Sequence, residues 1–162
     1  MLTFKEFRVM QESTLPGTYA AVRPDFESAN RLMDLMLKYQ IQNPEPIDKL
    51  HCTLLCSRKH LPDFVPDPSL RFVAIPTNIE VWPTKSGKNC FVLKFDSPAL
   101  QSRHKDLMNT HQATYDYPEY KTHLSLSYDI GDFDIKQIDF SLIAHPIIFT
   151  NEYQEDLDTE GK

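Results

Sequence analysis

Apolar positions along the chain form short alternating runs, broken by two longer stretches with helical spacing. Phe4, Phe7 and Met10 suggest a helical turn in a lead-in over residues 1–14. After the Pro16-Gly17 turn signal, Thr18–Val22 predicts a strand that must stop before Pro24. Asp25 is a suitable N-cap, and Phe26, Ala29, Leu32, Met33, Met36 and Leu37 recur as one helix face up to about Gln42. Pro44-Glu45-Pro46 ends that helix, Leu50–Cys56 predicts a second strand, and proline-rich 57–70 predicts a connecting loop. Phe72–Trp82, interrupted at Pro76, and Asn89–Phe95 read as strands joined by a turn over Thr84–Lys88. Ser97-Pro98 opens a second helix running to about Thr114. An aromatic loop from Tyr115 to Tyr120 precedes a strand over Thr122–Asp129, and Gln137–Phe149 predicts one or two more. The acidic end, Glu152–Lys162, is expected to fray.

One regularity organises these elements. Twice, a long helix leads through a proline-containing loop to a strand, and a histidine falls nine residues after the expected helix end: His51 after Gln42, and His123 after Thr114. No literal repeat accompanies it, so it hints at two similar lobes, roughly 16–70 and 71–150, followed by an acidic tail over 152–162.

Composition narrows the function classes. At 162 residues, 41% hydrophobic and 25% charged, the chain suits one globular unit with a sizeable core. Twelve prolines against four glycines imply stiff connections, and glycines at 17, 87, 131 and 161 cannot form a phosphate-cradling loop. A net charge of −6 opposes bulk nucleic-acid binding, which needs a basic coat, but leaves a compact nucleotide open. Three cysteines form no secreted scaffold, the amino-terminal segment lacks a signal-peptide core, and no apolar run reaches membrane-spanning length. The expectation is a soluble protein with free thiols in a reducing cytoplasm.

The chemistry concentrates in His51-Cys52-Thr53-Leu54 and His123-Leu124-Ser125-Leu126, two copies of His-x-Thr/Ser-apolar. On a strand, positions i and i+2 share a face, so each histidine projects with its hydroxyl neighbour while Cys52 and Leu124 turn to the core. Two such strands would present two imidazoles and two hydroxyls to one cleft. One imidazole accepts a proton from an attacking oxygen and the other delivers one to the leaving oxygen. Thr53 and Ser125 donate hydrogen bonds to the phosphoryl oxygens as charge builds. No carboxylate cluster accompanies the histidines, so neither metal nor other cofactor is expected. Cys52, Cys56 and His60 have helix-face spacing on a segment that reads as strand and loop, a poor zinc set. His104 and His111 read as surface residues, and His145, beside Pro146, as structural.

These paired motifs resemble those of the two-histidine (2H) phosphoesterase superfamily. Within it the chain, from Leu2-Thr3-Phe4-Lys5-Glu6-Phe7 through both motifs, is similar to the anti-CBASS phosphodiesterases of T4-like phages. The resemblance implies an α+β fold of two β–α–β lobes with antiparallel sheets around a central cleft. It implies hydrolysis of cyclic di- and trinucleotide signals of bacterial antiphage defence, such as 3′,3′-cGAMP, to linear 3′-phosphate products, by a monomer in the cytoplasm of the infected host. Ser125 stands where some members carry threonine, keeping the donor and losing a methyl.

The resemblance also suggests base-recognition partners. Tyr19 and Trp82 resemble aromatic positions at the family's nucleotide pocket, with sheet packing as the competing role for each. Glu152 matches a carboxylate near the family's carboxyl end that would read a base edge. Lys121 alternates onto the His123 face and would meet a phosphate, or serve as a solvated surface lysine. Tyr115, Tyr117 and Tyr120 border the cleft or pack their loop. Two other functions fit the same motifs: an RNA-end 2′,3′-cyclic phosphodiesterase, and a sponge that binds a cyclic nucleotide without cutting it.

Overall fold

The computed structural model describes residues 15–157, so the expected amino-terminal turn, the Leu2–Phe7 segment and residues 158–162 lie outside it. Among the described residues, six strands form one antiparallel sheet: β1 (Gly17–Pro24), β2 (Cys52–Ser57), β3 (Phe72–Pro83), β4 (Asn89–Asp96), β5 (His123–Ser127) and β6 (Ile147–Leu157). Their order across the sheet is β2-β1-β6-β3-β4-β5. Helix α1 (Phe26–Lys38) links β1 to β2, and α2 (Pro98–His111) links β4 to β5, giving the two expected β–α–β units. The halves join where β3 pairs with β6, from Phe72↔Phe149 to Ala74↔Ile147.

The helices start where the sequence places them. Asp25 accepts a hydrogen bond from the Ser28 amide at 2.9 Å, and Ser97 caps α2 by accepting from Leu100. Both end earlier than expected, at Lys38 and His111, because the chain turns through left-handed conformations at Gln40 (φ 50°) and Gln112 (φ 51°) without the glycine that usually signals such a stop. The equal intervals expected to each histidine become unequal by one: 13 positions from Lys38 to His51 and 12 from His111 to His123. On α1 the buried face is Ala29, Leu32, Leu35 and Met36. Phe26 (80% exposed) and Leu37 (70% exposed), about three turns apart, share a solvent flank rather than the core.

Two expectations at the carboxyl end are corrected. Gln137–Phe149 holds no strand before Ile147. Instead Asp134 and Asp139 accept from the amides of Lys136 and Ser141, two residues on, and fold the segment into short 3₁₀ turns over Ile135–Gln137 and Phe140–Leu142. The acidic segment does not fray before its last described residue, because β6 continues to Leu157, paired with β1 from Gly17↔Leu157 to Pro24↔Phe149.

The loop between α1 and β2 reaches across to the other edge strand, β5. The Glu45 amide donates to the Leu126 carbonyl at 2.8 Å, Ser127 Oγ donates to the Gln42 carbonyl at 2.8 Å, and Asn43 Nδ2 donates to the Asp129 carbonyl at 2.9 Å. Phe91, Phe149, Leu54, Leu93 and Leu124 fill the interior below. Each such side chain contributes about 1.5–3 kcal/mol through burial. The loop ahead of β2 is therefore fastened to the end of β5 opposite His123. Among the described residues no helix is long and apolar enough to cross a membrane.

Candidate active site

The two histidines are held in the same way. His51 Nδ1 lies 2.9 Å from the Lys49 carbonyl, and His123 Nδ1 lies 2.7 Å from the Lys121 carbonyl, each two residues back. A carbonyl only accepts, so Nδ1 carries the proton in both rings and Nε2 is the nitrogen outside that bond. His51 directly precedes β2 and His123 opens β5, with Cys52 and Leu124 buried beside them as alternation requires. The rings differ in surroundings. Burial holds His123 below the ordinary histidine range against the opposing Lys121 carbonyl bond, with smaller contributions from the positive charges of His51, Lys94 and Lys121.

The hydroxyls have unlike partners. Thr53 Oγ1 is 2.9 Å from the Tyr19 hydroxyl, and the Thr53 carbonyl accepts from the Tyr120 hydroxyl at 2.6 Å. Burial pushes the Tyr19 hydroxyl well above the ordinary tyrosine range, so it stays a proton donor. Ser125 Oγ instead accepts from the Cys90 thiol at 3.5 Å, a weak donor.

A cavity of about 680 Å³ opens beside this centre, lined by Tyr19, Thr53, Trp82, Tyr115, Tyr117, Lys121 and His123. Beyond Tyr19 a second hollow of about 500 Å³ contains His51, Lys49, Arg23, Tyr128, Tyr153 and Glu155. Tyr19 belongs to both walls, its ring edge-on to His51 at 6.3 Å. Trp82 packs against His123 with ring centroids 4.7 Å apart. Six of the eight residues singled out from the sequence thus line the two adjoining hollows, while half-buried Ser125, on the same strand as His123, lines neither.

Glu152 does not join them. Its side chain is fully buried, where it accepts from Arg103 Nε (2.8 Å), Arg103 Nη2 (2.6 Å) and the Asp67 amide (3.0 Å). With its oxygens engaged by an arginine of α2, it is a structural carboxylate that ties β6 to the helix. His104 is also misjudged as a surface residue. Its ring stacks on Tyr120 at 4.0 Å and its Nδ1 donates to the Leu54 carbonyl at 2.6 Å, while burial lowers its pKa. His145 is exposed rather than structural, because its turn precedes β6. A bulge opposite β1 skips Leu54 in the register, so Leu54 and Leu55 are both buried and the alternation reverses. Cys56 then lines the cleft while Cys52 lies in the core, its thiol pushed up to about 12 by burial. The two sulfurs face opposite sides.

Sequence reasoning missed Glu80 and Lys94 around His123, and Arg23, Tyr153 and Glu155 in the second hollow. Arg23 lies 4.3 Å over the Tyr153 ring, and Glu155 pairs with Tyr19 across β1 and β6. The only signal for Lys94 was strand alternation, and its partner across the ladder is His123 itself.

Comparison with known proteins places this geometry. Among solved structures, E. coli LigT complexed with 3′-AMP, a 2H phosphoesterase, superposes with a TM-score of 0.55 at 13% identity, covering 90% of this chain and 99% of LigT; the likeness establishes the 2H fold. The anti-CBASS protein Acb1 of Acinetobacter phage Ac42 is 37% identical over 146 residues, 90% of this chain and 94% of its own length. That of Vibrio phage KVP40 is 38% identical over 144 residues, 89% of each chain. That of Enterobacteria phage T4 is 31% identical over 157 residues, 97% of this chain and 94% of its own. The sequence profile of the family described as "Anti-CBASS protein Acb1" matches residues 16–162, and the chain belongs to that family.

Proposed function

We propose that this anti-CBASS protein is a metal-independent phosphodiesterase that hydrolyses cyclic di- and trinucleotide signals such as 3′,3′-cGAMP. It would work as a monomer in the cytoplasm of the infected bacterium. The observation that carries the reading is the matched wiring of His51 and His123, each with Nδ1–H fixed on a backbone carbonyl and Nε2 left to exchange protons. A phosphate-binding sponge needs donors only. Two rings locked in the same tautomer, on either side of the shared Tyr19 wall, supply a base and an acid.

His123, held below its ordinary range, is unprotonated at neutrality and suits the base. Its Nε2 takes the proton from a ribose 2′-hydroxyl, whose oxygen bonds to phosphorus as the bond to the 5′-oxygen breaks. His51 then delivers a proton to that departing oxygen. Thr53 and Ser125 donate to the non-bridging oxygens, and Lys121 balances their charge. The resulting 2′,3′-cyclic phosphate opens with water, the two histidines exchanging roles, to leave a linear 3′-phosphate. Tyr19 and Trp82 offer flat surfaces to the bases, each stack contributing on the order of 1–3 kcal/mol.

The test is incubation with 3′,3′-cGAMP in excess chelator, followed by mass analysis. Linear product ending in a 3′-phosphate is expected, with a 2′-deoxy analogue left uncut. Intact ligand released on heating the protein would establish a sponge. Faster turnover of an RNA 2′,3′-cyclic end would move the substrate to RNA termini, and loss of activity in chelator would overturn the metal-free mechanism.

A further inference from the structure

Three strands of the second half meet on the cleft face through side chains that no local motif connects. Glu80 of β3 accepts from the Trp82 indole N–H at 2.8 Å and from Asn78 Nδ2 at 2.6 Å, while Lys94 Nζ of β4 lies 3.3 Å from its second oxygen. Lys94 is the cross-strand partner of His123, and Trp82 packs on the His123 ring. Both Trp82 and Lys94 therefore carry the influence of Glu80 to that imidazole in one further step. Resting on the reading of His123 as an acid–base residue, we propose that Glu80 is a positioning residue for it. Glu80 fixes the Trp82 ring against the imidazole and holds the Lys94 ammonium, whose charge would otherwise bear unopposed on His123.

Neither fold stability nor solvation accounts for the cluster. An ion pair about one-third exposed contributes little to stability. Solvation alone would not call for three donors converging on one carboxylate. Those donors hold Glu80 below the usual carboxylate range, led by the indole and the Asn78 amide, so it remains charged wherever His123 titrates. The other groups facing His123 are His51 ahead of β2, Lys121 and Glu119 ahead of β5, and the Tyr19 and Tyr117 hydroxyls across the cavity. Of these only Glu119 is acidic, and it belongs to the loop before β5 rather than to the ladder. Glu80 is the carboxylate joined to Lys94.

The arrangement makes a prediction of sign. Glu80→Gln keeps an acceptor for the indole but removes the negative charge, leaving Lys94 to disfavour the imidazolium, so the His123 pKa should fall. Lys94→Met removes the positive charge and leaves Glu80, so the His123 pKa should rise. Each shift should be about half a pH unit, the size expected of a charge at this separation in a partly wetted site. The experiment follows the His123 ring proton by NMR across pH in the wild type and both variants, without substrate, and repeats the pH dependence of kcat/KM. Midpoints moving in opposite directions support the proposal. Midpoints that stay fixed, or move together in two folded variants, overturn it. Because the titration needs no turnover, failure to cleave cyclic nucleotides would count against the proposed function and leave this result readable.

Discussion

The first motif and the second place their histidines alike, but they hold their hydroxyl residues through different partners. Thr53 is bound at Oγ1 by Tyr19 and at its carbonyl by Tyr120, whereas Ser125 has a cysteine thiol at 3.5 Å and the hydroxyl of Tyr128, the residue next to its own strand's end. The imidazoles reverse the contrast. His123 is crowded by Trp82, Lys94 and burial, while His51 faces the hollow shared with Lys49 and Arg23. A duplicated scaffold supplies the geometry, and the neighbours divide the labour. In the proposed mechanism, one half is built around an aimed hydroxyl donor and the other around the base, His123, which burial holds below its ordinary range.

The most severe way to break the comparison is to remove each imidazole. His51→Ala and His123→Ala should each lower kcat on 3′,3′-cGAMP by about a thousandfold, the scale of a lost proton-transfer group. A variant retaining wild-type turnover would remove that half from the chemistry. Next is the tie that holds β6 to α2. Glu152→Ala leaves the partly exposed Arg103 and the Asp67 amide without their acceptor and should cost about 2–3 kcal/mol in urea unfolding. Unchanged stability with a raised KM would return Glu152 to base reading.

Two smaller changes sharpen the hydroxyl contrast. Tyr19→Phe keeps the ring and loses the bond to Thr53, so kcat should drop about five- to tenfold with KM steady, the worth of one hydrogen bond. If Tyr19 only stacks on a base, that variant would match the wild type. Cys90→Ala should change kcat by less than about twofold, because a thiol is a weak donor. A loss equal to that of Tyr19→Phe would erase the distinction between the two hydroxyls.

What the sequence disclosed was local. His-x-Thr and His-x-Ser were legible because strand alternation alone puts the pair on one face, and the Asp25 and Ser97 caps because they act within three residues. Tyr19, Trp82 and Lys121 came within reach by likeness and alternation. What escaped depends on partners far along the chain. Glu152 sits in an acidic run, and nothing nearby announces the arginine 49 positions earlier that engages it. The apolar stretch before Ile147 has the composition of a strand, but two aspartates capture its amides. Glu80 and Trp82 share a face of β3 by alternation, but Lys94 joins them only through the β3–β4 register, which is itself shifted by a bulge between Pro76 and Asn78.

The division of labour between the histidines is tested most directly by a 3′,3′-cyclic dinucleotide whose scissile 5′-oxygen is replaced by sulfur. A thiolate departs without being protonated, so the acid becomes dispensable while the base does not. His51→Ala should cut this substrate at nearly the wild-type rate, and His123→Ala should remain as impaired as on the oxygen ester. Equal impairment of both variants on the sulfur substrate, or rescue of His123→Ala alone, would contradict the account.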